Sequence, residues 1–452
     1  MKKALAVSIL STFILSTTII PSYAILDKKT DKNVQQTTIL DYVNFDWWKN
    51  QNDEHLEKYI VSAINNNYDI KTTALKIEQA NINVMATRAG QMPTLSIGGA
   101  PGLAKMPNTT KTLGSFAIPI IEYCELYIFV KNWDKTKSSK KMLQSVQYQA
   151  QASDIAIVSL VATVYYNIVK LDKIIEIQKE LVKDREDIYN LMKLSNEEGI
   201  VSTSDLIRAE KSFVMSQNEL IDYEKSRNAA LNALAVLIGD SPNNTNEYTR
   251  ISADELGSNF NIPDEISSEI ITNRPDYKAL EKQLEAAGLD VRVAKKEFLP
   301  TINILGALAF VATSASSSMS WNNALAMLGG SANLPLYTGF ARTANLKLHK
   351  NKYEQIINQY QKTNLVAIQE VNDSLYNLKS DNEKLVNNAK ALDIQEKDYK
   401  YSQLKYKEGV ISKLDLLQQR ETLLYMQKLL VSSKTDCYID KISLYKTTGA
   451  KI

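Results

Sequence analysis

Cysteine and histidine are almost absent, with two of each in 452 residues. Cys124 and Cys437 can form at most one bridge, so no disulfide framework holds this chain. His55 and His349 stand far apart with no Cys/His cluster beside them, so both read as surface residues and no metal centre is expected. HExxH, a phosphate-loop glycine pattern and a GxSxG elbow are all missing, which argues against an enzyme and against a bound cofactor. A basic stripe is missing too. The net charge is only +2, and the lysines interleave with Glu and Asp as on solvated faces, which excludes a nucleic-acid partner.

Proline is scarce where it would do most damage. Its 10 copies leave two stretches empty, Ile120 to Ser241 and Leu336 to the C-terminus, each of about 120 residues. A proline costs a helix interior about 3 kcal/mol, so its absence over such lengths permits very long helices. Long apolar runs are also lacking after the first residues. Lys2 and Lys3, the apolar run Ala4 to Ile20 and the small residues up to Ala24 read as a signal peptide over residues 1–24, with no cysteine after it to carry a lipid. With no later stretch expected to form a transmembrane helix, a chain that crosses a membrane must do so with strands.

What is present is one plan written twice. Glu198-Gly199-Ile200-Val201-Ser202-Thr203-Ser204-Asp205-Leu206 recurs about 210 residues later as Glu408-Gly409-Val410-Ile411-Ser412-Lys413-Leu414-Asp415-Leu416. Before each copy lies a heptad seam. In the first half it is Ile157, Val161, Val164, Ile168, Leu171, Ile175, Val182, Tyr189 and Met192, with Gln178 and Arg185 as polar members. In the second half Ile368, Val371, Leu375, Leu378, Leu385, Ala389, Leu392 and Tyr399 follow the same rule. A parallel stripe of Leu160, Ile174, Leu181 and Ile188 gives the first-half helix neighbours on two sides. Long helices are expected from about 133 to 197 and 340 to 407, about 100 Å each at 1.5 Å per residue. Return helices follow at about 204–238 and 414–444, and shorter ones at about 69–90 and 275–296.

Strand signals sit between the helices, at about 94–103, 116–130, 300–313 and 323–337. Four strands cannot close a membrane barrel, which takes at least about eight, whereas three chains would supply twelve. The domain plan is therefore a signal peptide (1–24), a first repeat (25–242, tip turn near 199), a linker (243–263) and a second repeat (264–452, tip turn near 409). Trp47 and Trp48 read as a packing anchor, with an interfacial belt as the alternative, and Tyr127, Phe129 and Trp321 as aromatic-girdle candidates. Cys124 lies beyond the far end of a helix, and Cys437 about 28 residues, or some 42 Å, from a tip. Two free thiols are expected.

At the tips, Gly199 and Gly409 suit the left-handed residue that ends a helix. Ser202 with Asp205 and Ser412 with Asp415 have the spacing that caps the next one. Capping does not explain the apolar pairs Ile200-Val201 and Val410-Ile411, which suit a protein contact.

These residues resemble the TolC-like outer-membrane efflux proteins. The likeness rests on Asn273-Arg274-Pro275-Asp276, Leu284-Glu285-Ala286-Ala287, Phe298-Leu299-Pro300-Thr301, Leu334-Pro335-Leu336-Tyr337-Thr338-Gly339, Tyr406-Lys407-Glu408-Gly409 with Asp415, and the closing Leu444-Tyr445 and Gly449. Phe340 stands where a second glycine is usual. The resemblance implies a mainly α fold with a small β part: a homotrimer whose antiparallel helices form a periplasmic α-barrel, and whose four strands per protomer build a twelve-stranded barrel among outer-membrane lipid. It implies an exit channel for a tripartite pump or type I secretion system, working with a periplasmic adaptor (membrane fusion) protein and an inner-membrane transporter. Gly199, Ile200, Val201, Ser202, Gly409, Val410, Ile411 and Ser412 would then be adaptor-docking tips, and Asp205, Tyr406 and Asp415 a periplasmic gate. Ile411 stands where a bridging arginine occurs in the family and Gln418 replaces a second acid, so a closed state held by packing is the alternative to a charge lock. Asp415 serves equally as a first-turn charge. The competing overall reading is a periplasmic coiled-coil scaffold without channel activity.

Overall fold

The computed structural model describes residues 53–105, 112–126, 130–258, 260, 262–263, 266, 269–312 and 321–449. The expected signal peptide, Trp47, Trp48, Tyr127, Phe129 and the Ser-rich turn at 314–320 lie outside them. In chain order the elements are α1 (Glu54–Asn66), α2 (Tyr68–Ala89), β1 (Thr94–Ile97), β2 (Ala100–Lys105), β3 (Thr112–Leu126), α3 (Lys131–Glu197) and α4 (Thr203–Ile238). Two 3-10 turns follow (Pro242–Glu247 and Ala253–Glu255), then α5 (Glu269–Asn273), α6 (Pro275–Lys296), β4 (Thr301–Ala312), β5 (Ala324–Asn333), α7 (Ala341–Lys407) and α8 (Lys413–Thr447). The repeat is literal in length. Helices α2, α3 and α4 have 22, 67 and 36 residues, and α6, α7 and α8 have 22, 67 and 35.

The chain forms two compact units. One, from residues 76–147 and 279–360, contains a mixed-length antiparallel sheet in the order β1-β3-β4-β5, with β2 also on β3. β1 and β2 are one interrupted lane: Ile97 pairs with Ile120 and Ala100 with Ala117, so the register carries straight across Gly98 and Gly99. Pro119 causes the interruption. Its carbonyl accepts from Gly98 N at 2.9 Å, but it has no N–H to return the bond. The sheet therefore has four lanes, as expected. The first runs to Lys105 rather than 103, and the second starts at Thr112 rather than 116. At its helical end α3 is fastened to α6 by Lys296 Nζ to Asp134 Oδ2 (2.7 Å) and by Ser138 Oγ donating to Ala286 O (3.3 Å).

Residues at both long-helix starts depart from ordinary backbone geometry. Val130 and Phe340, each just before the helix, have φ of 57° and 64°. That left-handed region is costly for a side chain with a Cβ, most of all a β-branched one.

The other unit, from 53–75, 148–278 and 361–449 among the described residues, is helical. Its core joins Leu56 and Ile60 of α1, Val158, Val161, Tyr165 and Ile168 of α3, and Leu231, Leu234 and Ile238 of α4. α1 was not expected from the sequence. Asp53 caps it, accepting from His55 N and Leu56 N at 3.0 and 3.1 Å. The α3 seam is buried as its heptads require from Ile157 through Ile175, with Val164 only partly covered. One stretch of α3 is long and apolar enough to cross a membrane, contrary to the sequence expectation, and most of it is buried against its own neighbours. The segment after α4 is not a loose linker. Arg250 pairs with Asp172, Ile251 N donates to the Tyr165 hydroxyl at 3.2 Å, and Leu256 is buried. Gly239, with φ of 75°, ends α4 where a Cβ would sit 2.7 Å from Asn66 O, so only glycine fits there.

Candidate functional site

Both tips are the same two motifs in series. At the end of α3, Ile200 N donates to Ser195 O (2.8 Å) and Gly199 N to Asn196 O (3.0 Å), with Gly199 at φ 72°. At the end of α7, Val410 N donates to Lys405 O (2.8 Å) and Gly409 N to Tyr406 O (3.0 Å), with Gly409 at φ 70°. Each is a Schellman closure, in which the left-handed glycine lets two orphan carbonyls find donors. Ser202 and Ser412 then start the return helices. Asp205 N donates to Ser202 Oγ and Asp415 N to Ser412 Oγ, both at 3.1 Å. At the second tip Ser412 N also donates to Asp415 Oδ2 at 3.0 Å, completing a reciprocal capping box.

The apolar pairs are split by this geometry. Ile200 and Val410 are 76% and 69% exposed, whereas Val201 and Ile411 are half-buried. Turn closure makes no use of an exposed aliphatic side chain. The carboxylates are bonded within their own turns: Asp205 to Ser202 and, at 3.3 Å, to Arg208; Asp415 to Ser412. The serine hydrogen bonds hold both below the usual carboxylate range, so both are ionised near neutrality. Tyr406 lies on the last turn of α7, half-exposed, with its carbonyl taken by Gly409.

Behind the tips, α3 is tied to α8 by a ladder that was not foreseen. Lys170 Nζ bonds Asp436 (3.0 Å), Gln178 meets Lys428 Nζ, and Arg185 Nε bonds Glu421 (3.0 Å). Eight residues forward from 170 to 178 are matched by eight back from 436 to 428, and seven forward to 185 by seven back to 421. One antiparallel register therefore holds throughout. Gln178 and Arg185 are the two polar members of the α3 seam, and Gln178 is fully buried, with Nε2 also donating to Ser216 O at 2.8 Å. Polar groups at seam positions fix register at a cost in apolar packing. Arg420 adds a clip, reaching Glu180 at 3.0 Å and the buried Asp184 at 3.2 Å. Burial pushes Asp184 up to about 6 against the pull of Arg420.

A second cluster explains the Asn-Arg-Pro-Asp sequence. Arg274 is buried where α5 turns into α6. Its Nε and Nη2 donate to Asp276 (3.0 and 2.7 Å), Nη2 also to Glu370 of α7 (2.8 Å), and Nη1 to the carbonyl of Thr447 at the end of α8 (3.0 Å). Gly449 passes over Arg274 and Pro275 in the left-handed region, with φ of 69°, which favours glycine. The two motifs that lie furthest apart in the second half thus form one joint.

Comparison with known proteins completes the site. The profile described as outer membrane efflux protein matches residues 59–240 and 266–450. The chain is 24% identical over 411 residues to the toluene efflux pump outer membrane protein TtgC of Pseudomonas putida, covering 89% of this chain and 84% of that protein. It is 22% identical over 409 residues to the cation efflux system protein CusC of Escherichia coli, covering 90% and 89%. Among solved structures, the CmeC outer membrane channel of Campylobacter jejuni superposes with a TM-score of 0.82 at 22% identity, covering 90% of this chain and 88% of that one. The MtrE outer membrane channel of Neisseria gonorrhoeae, in its open state, gives 0.78 at 22% identity over 88% and 89%.

Proposed function

The chain belongs to the outer membrane efflux protein family, and from that premise we propose that three copies assemble into a passive exit duct for a tripartite efflux pump or a type I secretion system. The observation that carries this is the sheet. Among the described residues its first lane and β5 each pair on one side only, and an open sheet edge is not tolerated in hydrocarbon. Three copies of four lanes close one barrel with no edge left. Exposed Leu365, Tyr376, Val386 and Ile394 on α7 support the same conclusion, since a solitary helix gains nothing from them and a neighbouring copy would bury them.

In this duct two repeats, 25–242 and 264–452, joined by 243–263, each supply a helical hairpin. The turns at Gly199-Ile200-Val201-Ser202 and Gly409-Val410-Ile411-Ser412 receive a periplasmic adaptor, with Ile200 and Val410 as the apolar contacts, and an inner-membrane transporter supplies the energy. Asp205, Asp415 and Tyr406 form the constriction, whose ionised carboxylates favour cations. With Ile411 and Gln418 in place of charged partners, the closed state rests on packing and on the α3–α8 ladder. No residue is assigned a catalytic role.

Cross-linking in cells from Ser202→Cys and Lys413→Cys, both exposed, tests the assignment. Capture of a periplasmic adaptor by heat-modifiable trimers from the outer-membrane fraction is expected. Release by osmotic shock as a non-membrane protein would restore the scaffold reading. For the constriction, Asp415→Ala should lower cation preference in single-channel recordings, and unchanged preference removes Asp415 from the gate.

A further inference from the structure

The two faces of the sheet differ from those of an ordinary membrane barrel, in which apolar side chains alternate with polar ones and the polar set lines the lumen. One face carries Ile118, Ile120, Ile302, Ile304, Leu308 and Phe310, with Leu328 beside them. Its one charged group on β3 is Glu122, set over Gly306. The opposite face starts polar at the helical end, where Glu125, Asn303 and Ser331 stand in one row across β3, β4 and β5. The polar lining then stops. The next rows are Tyr123–Leu305–Gly329, Ile121–Ala307–Met327 and Pro119–Ala309–Leu325, followed by Ala117 beside Val311. On the first lane Thr94 and Ser96 share this face, but both hydroxyls donate to strand carbonyls, of Tyr123 and Ile121, at 3.4 Å. Four successive rows, about 20 Å along the strands at 3.4 Å per residue, thus lack any charged or amide side chain on β3, β4 and β5.

The face that holds the Glu125–Asn303–Ser331 row is the one turned inward, because the other is apolar almost from end to end and suits lipid. We propose that the lumen of the assembled barrel carries an apolar collar, made by Ile121, Leu305, Val311, Leu325 and Met327 of each copy, which gives the duct a preference for uncharged aromatic or aliphatic small molecules over multiply charged solutes. This rests on the trimeric channel reading and names the cargo class of that same duct. All five side chains are exposed in the single chain, so none is covered by packing within its own protomer. An apolar wall offers a hydrated ion no polar group to replace its solvent, whereas an apolar solute gains contacts there.

Single cysteines in a Cys124→Ala/Cys437→Ala background, probed in outer-membrane trimers with methyl methanethiosulfonate and its negatively charged sulfonatoethyl counterpart, test it. At Met327→Cys the ratio of uncharged to charged reaction rate should exceed that at Ser331→Cys by about tenfold, equivalent to about 1.4 kcal/mol. Leu328→Cys, one residue along and on the other face, should be shielded by lipid from the charged reagent. Equal ratios at 327 and 331 would overturn the collar. So would a Leu328→Cys that reacts with the charged reagent as fast as Met327→Cys, since the faces would then be reversed. Both results leave the trimer standing, whereas a protein that forms no heat-modifiable trimer removes the channel and the collar together.

Discussion

Replacing Arg274 by alanine should loosen the end of α8 before anything else. The guanidinium serves three acceptors at once, Asp276, Glu370 and the Thr447 carbonyl, and its side chain is only 10% exposed. Removing one partner of a fully buried ion pair costs about 3–5 kcal/mol. Here Asp276 and Glu370 are 39% and 44% exposed and can rehydrate, so most of that penalty is returned to solvent. What cannot rehydrate easily is the Thr447 carbonyl, on a buried residue, for which an unmade bond costs about 1–3 kcal/mol. The net expectation is a local loss of about 2–3 kcal/mol. Hydrogen exchange of the Thr448 and Gly449 amides, which bond back to Leu444 and Lys446, reads it out, with an acceleration of about 30- to 150-fold after correction for intrinsic rates. Arg274→Lys keeps the charge but cannot span three acceptors, and should fall between the two. The pH dependence has a definite sign. The Asp276 carboxyl, opposed by burial but held by Arg274, sits below its usual range. Its contribution is present above the unfolded value near pH 3.9 and is lost only as pH falls through the lower folded value. Protection should therefore stay flat between about pH 7 and pH 5. Exchange in Arg274→Ala within twofold of the parent would refute the joint.

Two further changes probe strain and burial. Val130→Gly relieves a β-branched residue at φ 57°: removing about 1–2 kcal/mol of left-handed strain against about 0.5–1 kcal/mol of added chain entropy should raise the urea midpoint modestly, and a lowered midpoint would show that the Val130 side chain matters more than its backbone. Asp184, pushed up to about 6 by burial, binds its proton more tightly folded than unfolded; its contribution to stability therefore rises as pH falls from about 7 towards 4, and Asp184→Asn should remove that slope while gaining at most about 3 kcal/mol at pH 7.5, a gain absent if Arg420 already offsets the buried charge.

Much of the helical plan was legible because it is written locally. Proline-free stretches and the four-three spacing placed α3 and α7 within two residues of their ends, and glycine with Ser-x-x-Asp marked both turns. The strands were harder, because Pro119 breaks its neighbour's pairing rather than its own strand, so the cause of the interruption lies on another lane. Arg274 stood out as part of a recognisable phrase with no physical reason attached, since Glu370 and Thr447 lie 96 and 173 residues away. The same holds for Gln178 and Arg185. Their polarity within an apolar seam was visible, but the register that brings Lys428 and Glu421 to them depends on how two helices meet, which no periodicity within one helix encodes. α1 was missed because only 13 residues carry its pattern, with its start marked by the cap at Asp53 and the acidic first turn of Glu54 and Glu57.

The two 67-residue helices have a consequence for how such a chain can vary. Removing a whole heptad from one of them would preserve its stripe of apolar contacts and its supercoil phase, yet would draw that loop back by about 10 Å at 1.5 Å per residue. A partner that grips both loops at a common depth would be unseated by the edit even though each hairpin still folds. Tolerated insertions and deletions in this architecture should therefore come in pairs, the same number of turns gained or lost in each half of the duplication.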